Sequence, residues 1–296
     1  MTTVLLLGVL LCLSPEATNA SGNIQGRPDP SFRVMSFNIR YDEPRDQENA
    51  WPKRKEMVAS MIRFHRADLV GVQEALRHQL DDLKSLLPDY SWYGAGRDDG
   101  KLKGEFSAIL YHRTRFQLLA GSTFWLSETP AVPGSRSWDA AITRVVTWAK
   151  FRDKQANKIF FHFNTHFDHL GVRAREQSAH LLLSKITQIA GPAPVIVTGD
   201  FNFNESTAGY RILTGGEGDK GGTKDKLKDA RDISAHGHHG PTATFNNFKA
   251  LVPGARIDYV FVRGAVAVLQ HGILADTWDG RFPSDHLPVL AEVMVD

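Results

Sequence analysis

Alternating side chains mark one strand of this chain before any other feature is considered. Between Lys158 and Phe167, one set of positions is Ile159, Phe161, Phe163 and Thr165, and the set between them is Phe160, His162, Asn164 and His166. Successive side chains of a strand point to opposite faces, so this period of two predicts a strand with two distinct faces. Residues 153–157 are turn formers and predict the turn that leads into it.

Apolar positions with the helical period predict three helices. Residues 53–66 follow Trp51-Pro52, and their methionines, Ile62 and Phe64 fit a helix that is entered through a proline. Residues 75–87 carry leucines on one face and end before a proline, and a third helix is predicted from about Arg173 to Ala190.

Short apolar runs predict the remaining strands. They lie at residues 32–39, 69–73, 106–112, 145–152, 195–198, 256–262, 265–274 and 287–295. Strands and helices mix along the whole chain, so the pattern predicts sheets covered by helices, in an α/β or α+β fold. The glycine-bearing segments 215–222 and 235–240 are predicted to be mobile surface loops.

Composition supports one folded unit of ordinary charge. The 296 residues are 42% hydrophobic, which is enough for the core of one large domain. The formal net charge is +2, near neutral for this size. Proteins that hold polynucleotides by non-specific charge are usually more basic, so the charge argues mildly against that class.

The first twenty residues have the pattern of a secretory signal. The apolar run from Val4 to Leu13 is too short to span a bilayer, and Thr18-Asn19-Ala20 is a small-residue cleavage site. We therefore predict a signal peptide over residues 1–20, a flexible leader over residues 21–31, and a secreted or periplasmic protein. No Lys or Arg precedes the apolar run, so a misassigned start or an uncleaved anchor stays open. Cys12 is the only cysteine, and the mature chain can form no disulfide. No other apolar run is long enough to predict a stable membrane span.

Polar side chains suited to acid–base and metal chemistry follow six of the apolar runs. The six motifs are Met35-Ser36-Phe37-Asn38-Ile39-Arg40, Gly71-Val72-Gln73-Glu74, Asn164-Thr165-His166-Phe167-Asp168, Thr198-Gly199-Asp200-Phe201-Asn202, Arg256-Ile257-Asp258-Tyr259 and Ser284-Asp285-His286-Leu287-Pro288-Val289. Phosphoesters resist hydrolysis because anionic oxygens repel a nucleophile and the alkoxide leaves poorly. A catalyst must neutralise charge, prepare a water and stabilise the leaving oxygen. The motifs in this order suggest one metal-dependent centre of that kind.

These motifs resemble the endonuclease/exonuclease/phosphatase superfamily, which has the deoxyribonuclease-I-like fold. The resemblance extends from about Phe32 to Val295, and we therefore predict one such domain over residues 32–296. It implies a four-layer α/β sandwich, in which two mixed β-sheets pack face to face and are flanked by helices.

The resemblance also implies three residues at a divalent metal. Glu74 is expected to be the principal ligand, Asn38 to lie near the metal, and Asp285 to serve it directly or through water. Mg²⁺ or Mn²⁺ is expected, as one or two ions, because these cations take carboxylate ligands and retain waters. The competing interpretations are an acid at a helix N-terminus for Glu74 and a turn cap for Asn38.

Five further residues are expected to act on the phosphate. By resemblance, Asp200 orients and deprotonates the attacking water, and Asn202 holds the phosphate. His286 contacts the scissile phosphate, and Asp258 binds the far nitrogen of its ring, which fixes the tautomer and raises the pKa. His166 is expected to face the phosphate as a second imidazole, with protonation of the leaving oxygen as its candidate role.

Loops between the strands supply the candidates for substrate contact. These are Arg97, Trp125, Trp138 and Arg144. Loops on a rigid scaffold carry specificity, while the competing interpretation is ordinary packing and surface ion pairs. Asp168 and His169 are expected mainly to shape their loop. The cluster of His236, His238 and His239 is predicted to lie in a solvated loop in preference to a zinc site.

The sequence therefore predicts an exported, metal-dependent hydrolase that attacks phosphorus with water in one in-line step. A phosphodiesterase or nuclease is favoured; a sphingomyelinase-like phospholipid phosphodiesterase and a phosphomonoesterase are the alternatives. The Trp-Cys-Asp-Arg string of inositol-polyphosphate phosphatases is absent. We expect a monomer whose partner is nucleic acid, a phospholipid headgroup or a small phosphodiester. A non-catalytic binding module is disfavoured because all matched catalytic positions carry competent residues.

Overall fold

The computed structural model describes Met1 and residues 30–215 and 226–296. The predicted signal peptide, nearly all of the predicted leader and most of the glycine-rich segment 215–222 lie outside the described residues. Within the described part, no helix is long and apolar enough to cross a bilayer.

Thirteen strands and four α-helices make up the described chain. In order they are β1 Ser31–Asn38, α1 Lys55–Phe64, β2 Leu69–Ala75, α2 Arg77–Leu86, β3 Tyr90–Tyr93, β4 Phe106–His112, β5 Phe116–Trp125, β6 Val145–Asp153, β7 Lys158–His166, α3 Val172–Ala190, β8 Val195–Asp200, α4 Ala208–Thr214, β9 Lys228–Asp229, β10 His238–His239, β11 Asp258–Arg263, β12 Val266–Ile273 and β13 Val289–Val295. Two short 3-10 helices, Pro44–Asn49 and Trp51–Lys53, lead into α1.

The strands form two mixed sheets. The first has seven strands in the order β10-β12-β13-β1-β2-β4-β3, and the second has six in the order β5-β6-β7-β8-β11-β9. Strands β1 and β2 are parallel in the first sheet, and β7 and β8 are parallel in the second. Because parallel neighbours end at the same edge, each sheet carries two adjacent strands whose carboxyl ends lie side by side.

Three separate hydrophobic clusters show four packed layers. One cluster fills the space between the sheets, with Phe32, Val34, Phe151 and Val260 among its members. A second joins α1 and α2 to the outer face of the first sheet, and a third joins α3 and α4 to the outer face of the second. Neighbouring positions such as Val34 and Met35 enter different clusters. The four-layer sandwich expected from the resemblance is therefore confirmed.

The structure corrects several element predictions. Strands β3 and β5 were not predicted; β5 lies at a sheet edge and carries small and exposed residues, so it shows little apolar signal. The second helix starts at Arg77 because β2 continues to Ala75. The loop predicted over residues 235–240 includes strand β10, in which His238 pairs with His271 and His239 with Gly272 of β12.

Candidate active site

Strand register brings three predicted site residues of the second sheet together. His166 ends β7 opposite Asp200 at the end of parallel β8, and Asp258 begins antiparallel β11, also opposite Asp200. Asn38 ends β1 in the first sheet, and its Nδ2 donates to Asp200 Oδ2 at 2.9 Å. The site therefore straddles the ends of both sheets.

Glu74 reaches the site through a distorted strand. The register of β2 against β4 shifts between Val72 and Ala75, and Glu74 has a φ of 62°, in the left-handed region. Such a conformation costs a non-glycine residue about 1–3 kcal/mol and tends to occur at functional sites. The Glu74 carboxylate accepts from Asn38 Nδ2 at 3.0 Å and from the Tyr41 amide at 3.2 Å. Glu74 therefore lies within a strand, and the competing helix-terminus interpretation is wrong.

The oxygen atoms at this end fit a hard divalent cation. One ligand atom each from Glu74, His166 and Asp200 lie within 4.8 Å of one another. Asp285 adds a carboxylate that is only 6% exposed, and burial raises its pKa. Burial opposes the ionisation of Glu74 as well, but the Asn38 hydrogen bond and the charges of His286 and Arg40 hold its pKa below the ordinary value. A buried group of carboxylates is costly unless a cation is present, and Mg²⁺ and Mn²⁺ prefer oxygen ligands.

Asn38 acts in this arrangement as a donor. Its Nδ2 serves both Glu74 and Asp200, while its Oδ1 accepts from the Arg40 amide at 3.0 Å. Carboxylates only accept, so the nitrogen of this buried amide must face them. The predicted ligand role of Asn38 stays a prediction, and the structure shows that it fixes the positions of two carboxylates.

His286 forms a buried ion pair with Asp258. Ring atom Nδ1 lies 2.8 Å from Asp258 Oδ2, and Nε2 lies 3.7 Å from Asp200 Oδ2. Burial opposes a charged imidazole, but the charges of Asp258 and Asp200 prevail and raise the His286 pKa well above its ordinary value. The ring is therefore a cation at neutral pH. Ser284 Oγ donates to Asn38 O at 2.7 Å and so attaches the His286 loop to the end of β1.

Asp200 and Asn202 project into the site from the end of β8. Burial and the neighbouring Asp258 charge raise the pKa of Asp200 to about 7, against the opposing His286 charge. The Asn202 amide donates to Asp200 Oδ1 at 3.0 Å. Asn202 Nδ2 donates to Phe167 O at 3.0 Å and also lies 3.0 Å from His166 Nε2. Burial, together with the Arg144 charge, holds the His166 pKa well below its ordinary value, so this second imidazole is neutral.

A cavity of about 610 Å³ opens over these residues. It is lined by Arg40, Tyr41, Asp46, Glu74, Arg97, Glu105, Ile142, Arg144, His166, His169, Asp200, Asn202, Phe245, Asn247, Phe248, Ile257, Asp285 and His286. Arg97 and Arg144 thus lie where substrate contact was predicted. Trp125 and Trp138 do not line it; Trp125 is buried and donates to Arg97 O at 2.6 Å, which supports the arginine instead.

Sequence reasoning missed several residues of the site. Arg40 lies 3.9 Å from Glu74 and 4.0 Å from Asp285 and pairs with Asp46 at 2.9 Å. Arg54 is buried and donates to backbone oxygens of Ile39, Arg40 and Pro283, so it joins the loop after β1 to the loop before His286. Arg40 could have been found from the sequence, because it is a polar residue just after a predicted strand, like the other site residues. Nothing in the sequence distinguishes Arg54 from a surface arginine.

The remaining candidates shape loops. Asp168 accepts from the amides of Ala141, Ile142, Leu170 and Gly171 and so holds two loops against each other. His169 lines the cavity beside it, as its expected place in the loop allows. His238 Nδ1 lies 3.0 Å from His271 Nδ1, away from the cavity lining.

Comparisons with known proteins agree with this geometry. A model described as the Endonuclease/Exonuclease/phosphatase family matches residues 35–286. A solved endonuclease/exonuclease/phosphatase from Bacteroides vulgatus is 41% identical with a TM-score of 0.84, and the match covers 90% of this chain and 99% of that one. The solved mannosyl-6-phosphatase of Bacteroides thetaiotaomicron is 36% identical with a TM-score of 0.81, covering 89% of this chain and 99% of that one. An uncharacterised protein of Acanthamoeba polyphaga mimivirus is 25% identical over 81% of this chain and 91% of its own length.

Proposed function

The chain belongs to the endonuclease/exonuclease/phosphatase family and is a metal-dependent phosphoester hydrolase, and from that premise we propose that it is an exported phosphomonoesterase for small phosphorylated sugars. The observation that carries the reaction is the convergence of Glu74, Asp200 and the Asp258–His286 pair on one cavity. The sequence favours a phosphodiester substrate, whereas we propose a phosphomonoester. Preference for a phosphodiester is the competing outcome of the test.

The acidic residues have two roles, to hold the metal ion and to prepare the attacking water. Glu74 and Asp285 would hold Mg²⁺ or Mn²⁺, with Asn38 fixing the Glu74 carboxylate by its hydrogen bond. The cation, when bound, supplies charge neutralisation to a phosphoryl oxygen. Asp200 has both oxygens held, by Asn38 Nδ2 at 2.9 Å and by the Asn202 amide at 3.0 Å. A carboxylate fixed in this way orients the attacking water and takes its proton.

The other polar residues receive the phosphate. The His286 ring is held by Asp258 at 2.8 Å and presents Nε2 to the cavity, where it neutralises charge that develops on the phosphoryl oxygens. Asn202 lies beside it with its amide nitrogen fixed by Phe167 O, and it holds a second phosphoryl oxygen. His166 lines the same space, but its pKa is held well below the ordinary value, so we assign it contact with the phosphoryl group as a neutral ring and not protonation of the leaving oxygen.

The shape of the site supports a small substrate. A concave cavity of about 610 Å³ lies within the range of roughly 300–1,000 Å³ usual for small-molecule sites. Phe245 and Phe248 form an apolar wall on which a sugar ring can pack. The similar mannosyl-6-phosphatase supports a sugar phosphate as the substrate class. The predicted signal peptide supports export, and we propose that the protein acts as a monomer on phosphoesters outside the cell.

Phosphate release from a panel of hexose phosphates tests the proposal. The full-length protein would be assayed with Mg²⁺ or Mn²⁺, with EDTA as the control, against bis(p-nitrophenyl) phosphate as the diester. We expect metal-dependent release from at least one hexose phosphate with a higher kcat/KM than the diester shows. Asp200→Asn and His286→Ala should each lower kcat by about 10³-fold or more, or about 4 kcal/mol, with an unchanged circular dichroism spectrum. A clear preference for the diester would refute the phosphomonoesterase, and near-wild-type turnover in either variant would refute the assigned roles.

A further inference from the structure

One end of the cavity carries a positive charge that no described residue pairs with. Arg144 directly precedes β6, is 5% exposed and lines the cavity. Its Nη2 lies 3.3 Å from His169 Nδ1, and its Nε has no hydrogen-bond partner. Within residues 30–215 and 226–296 it forms no ion pair with a carboxylate; Glu105, Glu74 and Asp200 act on it only at longer range. A guanidinium stays charged, so its burial beside one imidazole and without a carboxylate partner is costly.

Other arginines of low exposure have oxygen partners: Arg54 donates to backbone oxygens, and three others pair with carboxylates. Arg97, which lines the same end of the cavity, donates to Glu105 Oε2 at 2.7 Å. Arg115 lies 3.0 Å from Asp153, and Arg256 lies 2.8 Å from Asp229. Arg144 therefore differs from them in having no oxygen partner among the described residues, and it lines a cavity that a ligand can enter.

The position of Arg144 identifies the ligand atom. A second, narrow pocket shares the lining residues Glu74, Arg97, Glu105, Arg144 and His166 with the cavity. Arg144 thus lies beside the carboxylate expected to hold the metal and beside the imidazole that faces the phosphate. A phosphoryl group placed on these residues brings one of its terminal oxygens to the guanidinium.

We propose that Arg144 binds a terminal oxygen of the substrate's phosphoryl group and selects phosphomonoesters over phosphodiesters. The inference rests on the proposed function and names the residue that determines its substrate class. A phosphomonoester carries a charge of about −1.5 to −2 at neutral pH and has three terminal oxygens. A diester carries one negative charge, and an ester carbon occupies one of those oxygens. A buried guanidinium binds the phosphoryl oxygens through charge-assisted N–H donors, and the monoester makes better use of it.

A matched pair of substrates isolates this contact. p-Nitrophenyl phosphate and methyl p-nitrophenyl phosphate share a leaving group and differ by one methyl group and one charge. Arg144→Gln should lower kcat/KM for the monoester by about 30-fold or more and for the methyl diester by less than about threefold, since only the monoester has the additional charge and third terminal oxygen that the guanidinium binds. Arg144→Lys keeps the charge but loses the planar fork, so it should fall between wild type and Arg144→Gln. Arg115→Gln is the control for removal of a buried arginine and should leave the ratio of the two kcat/KM values unchanged.

Phosphate binding gives a second measurement that does not depend on turnover. Inorganic phosphate should raise the melting temperature of wild type and Arg115→Gln, and the rise should be much smaller for Arg144→Gln. An Arg144→Gln variant that loses kcat/KM by the same factor on both substrates would overturn the inference. A rise in melting temperature with phosphate as large as that of wild type would overturn it as well. If Arg144→Gln does not fold, the ratio in Arg144→Lys decides by the same criterion. A wild-type protein that releases phosphate from no hexose phosphate would refute the proposed function, and phosphate stabilisation would then decide the role of Arg144 alone.

Discussion

The buried pair of Asp258 and His286 gives the sharpest test of the proposed chemistry. Asp258 is fully buried, and its Oδ2 lies 2.8 Å from His286 Nδ1. Replacement by Asn keeps the shape and an oxygen that can accept the same hydrogen bond, but it removes the negative charge. The cationic ring is then left buried with less compensation, so its orientation and charge are both weakened.

The expected loss follows from the distance. Two unit charges 2.8 Å apart interact by about 6 kcal/mol at an effective dielectric constant of about 20, which is an upper limit for one pair. Hydrogen bonds to charged groups contribute about 1.5–3 kcal/mol net. We therefore expect Asp258→Asn to lower kcat by about 10²–10³-fold, corresponding to about 3–4 kcal/mol of transition-state stabilisation.

The assay is steady-state turnover of p-nitrophenyl phosphate with saturating Mg²⁺, alongside chemical unfolding of each variant. Asp153→Asn is the matched control, because Asp153 is equally buried and also pairs with a cation, Arg115, but does not line the cavity. It should lose stability and keep wild-type kcat. The reasoning fails if folded Asp258→Asn retains kcat within about threefold of wild type, or if Asp153→Asn is slowed as much.

Three further predictions concern stability and metal binding. Burial lowers the pKa of His162 to about 3, so only the unfolded state gains a proton as pH falls below about 6.5, and the free energy of unfolding should fall by about 2 kcal/mol between pH 6.5 and pH 5. In urea unfolding, the His162→Gln variant should lose about 2 kcal/mol less than the wild type over this interval. An equal loss in the two proteins would contradict this reasoning. Gly71→Ala places a Cβ against Thr198 Oγ1 and Asn164 Oδ1 between the sheets, so the free energy of unfolding should fall by about 1–3 kcal/mol, whereas wild-type stability would show that the sheets yield there. Mg²⁺ should raise the melting temperature of the wild type by mass action, and an equal rise in Glu74→Gln would exclude this residue as a principal ligand.

Much of the fold is predictable from the sequence because most strands are buried on both faces. Strands such as β8 and β13 carry continuous or alternating apolar residues, and these stand out from the turns around them. Strand β5 does not, because its place at a sheet edge leaves Gln117, Leu119 and Ala120 exposed. The short strand β10 owes its pairing to β12 and not to its own residues. Edge elements are therefore where local pattern and tertiary pairing diverge most.

The site residues also differ in how far the sequence predicts them. Carboxylates and amides at strand ends, such as Asp200 and Asn38, can be located by pattern because the fold places strand ends together. Asp258 and His286 are 28 positions apart, and only the family resemblance joins them. Arg54 was missed because its role depends on three backbone oxygens that meet only after folding. The unpaired state of Arg144 is likewise a property of the folded chain, since the sequence shows the arginine but not the missing partner.

The division of the site between two sheets explains an unusual polar layer beneath it. Asn164 of β7 donates to Val72 O and Ala108 O of the first sheet, each at 2.9 Å, and accepts from Gln73 Nε2 at 2.7 Å. Ser36 Oγ of β1 accepts from the Gly199 amide of β8 at 2.9 Å. Apolar side chains at these positions would pack without direction, whereas hydrogen bonds fix one sheet against the other. Because Glu74 and Asn38 belong to one sheet and Asp200 to the other, a slip between the sheets would separate the groups that hold the metal and the water. The polar layer therefore sets the catalytic distances, and its central residue Asn164 lies on the same face of β7 as His166.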